Sequence, residues 1–162
     1  MRTQKLAAVT VWMAVSGACY GAQEQVTVVI FDYAGTPGAT LKESAKTARA
    51  AFRAAGVETV WSICHVSNDP NDCLLPPAGS YLEAIVVPNG AGRAEMRGDL
   101  GFALTIPGER TVTSYAFSEP SKVLAARAEV PVALVLGYVM AHEIGHLMGL
   151  KHSRCVRAGQ DT

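Results

Sequence analysis

Apolar residues change their spacing several times along the chain, and each change marks an element. Gln25 to Phe31 is an unbroken β-branched and aromatic run, which predicts a buried strand. Asp32 to Gly38 contains Gly35, Pro37 and Gly38 and closes it. From Thr40 to Ala55 the apolar residues Leu41, Ala45, Ala48, Phe52 and Ala55 recur at three-and-four spacing with charges between them, so a helix is expected there, ended by Gly56. Val57 to Cys64 and Tyr81 to Val87 return to strand-like runs. Gly101 to Ile106 and Thr111 to Phe117 are shorter strands separated by the turn signal Pro107-Gly108. Ser121 to Glu129 reads as a short helical piece. Pro131 then opens a longer helix, expected to end near Met148 because Gly149 supplies a stop.

A strand, a crossover helix and a second strand predict a parallel pair with a right-handed connection, hence an α/β fold. The last helix carries no charge from Val132 to Ala141. That run falls short of the roughly 20 apolar residues a bilayer span needs, so the helix is expected to lie buried against the sheet. Gly137, Ala141, Gly145 and Gly149 recur at every fourth residue and predict close approach to neighbouring elements.

The first residues look like an address and not like part of the fold. Arg2 and Lys5 precede the apolar run Leu6 to Val15 and the small residues Ser16, Gly17 and Ala18, the order of a secretory signal. Residues 1–22 are read as that signal, cleaved near Gly21 or Ala22, and residues 23–162 as one domain. Cys19 keeps a second route open, a lipid anchor, although Ser16 stands where the lipoprotein pattern has an aliphatic residue. The expected location is outside the cytoplasm, secreted or periplasmic, with no stable membrane span.

Composition narrows the function further. The chain is 49% apolar and 17% charged, which excludes a disordered tail because there is ample surface to bury. Fourteen basic residues balance fourteen acidic ones, so the electrostatic footprint of a dedicated nucleic-acid binder is missing. Loss of the signal removes Arg2 and Lys5 and no acid, which leaves a net charge of −2. In an oxidising compartment Cys64 and Cys73 are the expected disulfide, bracketing the polar, turn-rich residues from His65 to Asp72. Two unbridged thiols are the alternative. Cys155 is left over. Asp32 and Tyr33 end a strand and either face a cleft or serve the turn.

The chemistry is concentrated in His142 to His152, which contains His142, Glu143, His146, Gly149 and His152. On a helix His142 and His146 lie four residues apart on one face, so two imidazoles can meet one ion. A third ligand from the same helix would point elsewhere. Gly149 can adopt the positive φ of a sharp turn, after which His152 swings back as that ligand. Three neutral His leave a fourth position open, the arrangement of a catalytic Zn2+. Glu143 cannot easily reach the same ion, but its carboxylate can take a proton from the attacking water and pass it to a leaving amine. The bland alternative is a set of solvated surface His. At average residue usage the five fixed positions arise by chance in on the order of one chain in a hundred thousand, which favours the metal site. His65 lies in the disulfide loop and is read as an ordinary His, outside the ligand set.

This stretch resembles the extended zinc signature of the metzincin metallopeptidases, H-E-x-x-H-x-x-G-x-x-H, at every fixed position. The resemblance implies a zincin-like fold, with a mixed, mostly parallel twisted sheet packed on a long active-site helix and a crossover helix. It implies zinc at His142, His146 and His152, Glu143 as general base, and a peptide or protein substrate lying between sheet and helix. It also implies an edge strand at Gly101 to Leu104 that an extended peptide could join. Metzincins have a Met-bearing turn beneath the zinc, whereas no Met follows Met148 here and Val156 stands near that place. Cys155, three residues after His152, could instead close the site as a fourth ligand. Two functions are therefore expected in order of preference: an exported zinc metalloendopeptidase, and a catalytically silent zinc-binding module of the same build.

Overall fold

A computed structural model describes residues 25–65, 73, 75–77, 80–90, 99–105 and 112–152. The expected signal over 1–22 with Cys19, most of the loop inside the disulfide, the Pro107-Gly108 turn, Cys155 and Val156 lie outside these residues. The elements in order are β1 (Val26–Asp32), α1 (Gly38–Ala54), β2 (Thr59–His65), β3 (Leu82–Val87), β4 (Gly101–Thr105), β5 (Val112–Phe117), α2 (Ser118–Ala128) and α3 (Val132–Leu147). The fold is mixed α/β: a mostly parallel five-stranded sheet in the order β2-β1-β3-β5-β4, with three helices. Among the described strands only β4 runs antiparallel, against β5. The predicted parallel pair is β1 with β2, in register from Val26 opposite Thr59 to Asp32 opposite His65. No described helix is long and apolar enough to cross a membrane.

Strand alternation decides which side chains meet the helices. Val28 and Ile30 of β1, Ala84 and Val86 of β3 and Ala116 of β5 are buried in one cluster with Leu41 and Phe52 of α1 and Leu136, Val139, Met140 and Ile144 of α3. Each fully buried aliphatic side chain contributes about 1.5–3 kcal/mol by leaving water. The uncharged first half of α3 is thus buried along one face, through Leu136, Val139 and Met140, while Leu134 and Tyr138 on the other stay exposed.

Three helix boundaries differ from expectation. Helix α1 begins at Gly38, two residues earlier than the strong helix formers, with Pro37 as its cap. Helix α2 follows β5 directly at Ser118, because Pro120 sits in the first turn, where no backbone donor is needed. Pro131 is the extended cap of α3, and not its first helical residue.

The four-residue stripe of small side chains proves to have more than one task. Gly137 is where α3 touches α1: a Cβ there would lie 2.6 Å from the Ser44 carbonyl oxygen and 2.6 Å from the Thr47 Cβ. Ala141 packs on the core, Gly145 faces Leu150, and Gly149 stands in open space in a left-handed turn. Gly137→Ala is therefore expected to destabilise the fold by about 1–3 kcal/mol through overpacking, even though Ala is the better helix former. A lowered urea midpoint with an unchanged slope is the measurement.

Cys64 at the end of β2 is bonded to Cys73. Their separation of nine residues closes a short loop, worth about 2–3 kcal/mol as restricted unfolded-state entropy. Replacing both by Ser is expected to lower unfolding free energy by that amount, read from denaturant curves of the oxidised protein and the variant.

Candidate metal centre and cleft

Helix α3 delivers His142 and His146 one turn apart, near its C-terminal end, where the helix dipole favours a cation. The chain then reverses. Gly149 has φ +89°, its N–H donates to the His146 carbonyl at 2.9 Å, and the Leu150 N–H donates to the Gly145 carbonyl at 3.0 Å. These two bonds form a Schellman cap, with Leu150 packed over Gly145. The turn inferred from the glycine is the one present, and it returns His152 to the helix.

The three imidazoles converge through their Nε2 atoms. His142 and His146 are 3.1 Å apart, His142 and His152 3.1 Å, and His146 and His152 3.0 Å. His146 Nδ1 lies 2.8 Å from the Leu150 carbonyl oxygen, so the ring proton sits on Nδ1 and donates there, leaving Nε2 as a bare lone pair. A proton on another ring can lie along only one of the three nitrogen–nitrogen lines, so the trio cannot satisfy itself by hydrogen bonds. A cation satisfies all three lone pairs at once. Ligands 2.0–2.1 Å from a tetrahedral ion stand about 3.3–3.4 Å apart, close to the spacing observed. The donor set fits a borderline-soft divalent ion such as Zn2+. Among the described residues this is the one His, Cys, Asp and Glu group with metal-holding geometry.

Glu143 takes a different direction from its neighbours. It is 7% exposed and lies between α3 and β4, where Gly101 makes room: a Cβ on Gly101 would meet Glu143 Cγ and Val139 Cγ1 at 3.0 Å. Burial pushes its carboxyl above the usual range; the nearby His146 pulls it down and Asp99 pushes it up. Burial also lowers the His142 imidazole, helped by the neighbouring His146 and His152 rings. A lowered imidazole keeps the neutral form that binds a metal.

A cavity of about 740 Å³ opens beside these groups. One wall is β4 with its approach, Asp99 to Ala103; the other is α3 from Val135 to His146, with Leu124 of α2 at its end. Among the described strands β4 ends the sheet, and its residues Gly101, Phe102 and Ala103 line this cleft. Asp32, by contrast, serves the turn: its carboxylate accepts the N–H groups of Ala34 at 3.1 Å and Thr36 at 2.8 Å. Sequence reasoning did not single out Gly101 as the seat of Glu143, Asp99, Leu124, or the Leu150 carbonyl. Gly in a strand signals close approach and could have flagged the first; a backbone carbonyl has no signal of its own.

Fold and site together define a mixed α/β chain with a three-histidine cluster, suited to a cation, beside an acid-bearing cleft. The chain matches no protein-family model, no curated protein and no solved structure.

Proposed function

We propose that this chain is an exported, zinc-dependent metalloendopeptidase of the metzincin type, with the zincin-like arrangement of a sheet over an active-site helix. The observation that carries the reading is the meeting of three Nε2 atoms beside a buried carboxylate at the wall of an open cleft. The Cys64–Cys73 bridge supports export, because such bridges persist in oxidising compartments.

His142, His146 and His152 would hold Zn2+, and Leu150 would fix the ring of His146 through its carbonyl. Bound there, the ion supplies Lewis acidity toward a peptide carbonyl and toward water. Glu143 takes the proton of the attacking water on its carboxylate and returns it to the departing amine. Its burial, which raises its proton affinity, suits both halves of that transfer. The outer edge of β4 orients the substrate, since an extended peptide adds to it by main-chain hydrogen bonds.

The test is incubation of the zinc-loaded protein with a peptide library blocked at both ends. Internal cleavage that stops with a chelator and returns with zinc supports the reading. One equivalent of zinc without cleavage of any member replaces it with a silent zinc-binding module.

A further inference from the structure

The cleft carries a charge pattern that a general peptide-binding groove does not require. Among the described residues lining it, the charged side chains are Asp99 and Glu143, and no Lys or Arg is present. Gly101 faces α3, and Asp99, just ahead of β4, lines the same cavity. Glu143 is buried beside the imidazoles. Asp99 is exposed, and its charge remains for whatever enters the cleft. A positive group on the ligand would pair with it.

We infer that Asp99, at the approach to the strand bordering the cleft, makes this site select peptides bearing a cationic group, an ammonium or a guanidinium, beside the segment that joins β4. This specificity rests on the peptide-binding reading above but needs neither the metal nor turnover to be measured. Two sources supply the same chemistry: a Lys or Arg side chain, or a free peptide N-terminus.

The experiment is an NMR titration of the metal-free full chain with three sets of short Ala-based peptides. The first is N-acetylated with one Lys or Arg, the second N-acetylated with an uncharged isostere there, the third free at the N-terminus and otherwise uncharged. The first or third set is expected to bind about three- to fivefold more tightly than the second at low salt, as an exposed ion pair allows. Whichever gains identifies the source. The advantage shrinks as salt rises past ~0.15 M, vanishes in Asp99→Asn, and turns toward Glu-bearing peptides in Asp99→Lys. Equal affinities for all three sets, or an advantage that survives Asp99→Asn, overturns the inference. A zinc-loaded chain that cleaves nothing overturns the peptidase reading instead, and the charge preference of the metal-free cleft stands or falls on its own titration.

Discussion

Glu143→Gln is expected to abolish peptide hydrolysis while leaving one zinc bound per chain. The amide keeps the size of the side chain, and therefore its seat against Gly101 and Val139. What disappears is the proton acceptor. General-base catalysis is worth about 10²–10⁴ in rate, so kcat should fall by at least that range while zinc content is unchanged. Stability should hardly suffer, because the amide fills the same buried space. Turnover and metal content measured on the same preparation make the check. Retained turnover would place the base elsewhere, and loss of zinc would make Glu143 a ligand.

His152→Ala is expected to carry the second large effect, on metal affinity. Helix α3 supplies two ligands with or without it, but the third comes from the reversal after Gly149. Losing a hydrogen-bond partner of a ligand costs about 10–100-fold in affinity, so losing the ligand should weaken zinc binding by more than about 100-fold. The imidazole is exposed, and its removal opens no hole in the core. The unfolding midpoint of the metal-free variant should therefore match that of the metal-free parent, while competition with a chromogenic chelator reports the lost affinity. Unchanged affinity would mean that the His142–His146 pair recruits its third ligand from another part of the chain.

Much of the arrangement could be read from residue spacing because it is local. The pairing of His142 with His146 follows from helical period, and the return of His152 from a glycine able to take positive φ. The uncharged stretch from Val132 to Ala141 announced a buried helix, and the β1–α1–β2 order announced the parallel pair. What could not be read depends on long-range register. Opposite which helical residue Gly101 falls is decided by the antiparallel pairing of β4 with β5, where Gly101 stands opposite Ala116. That register seats Glu143, and Asp99, just ahead of β4, lines the same cleft with nothing in the sequence around it to mark it. The small-residue stripe shows the converse: one period, but a helix contact at Gly137 and a turn at Gly149. The sequence predicts α2 from Ser121, whereas it starts at Ser118, because the first helical turn tolerates Pro120.

The proposed function depends most on one coordination shell, and X-ray absorption at the zinc edge of the zinc-loaded full chain examines it directly. It should give one zinc per chain with three imidazole nitrogens at about 2.0–2.1 Å and one further light ligand exchangeable with solvent. A sulfur at about 2.3 Å completing four protein ligands, or zinc scattered below one equivalent, would contradict it.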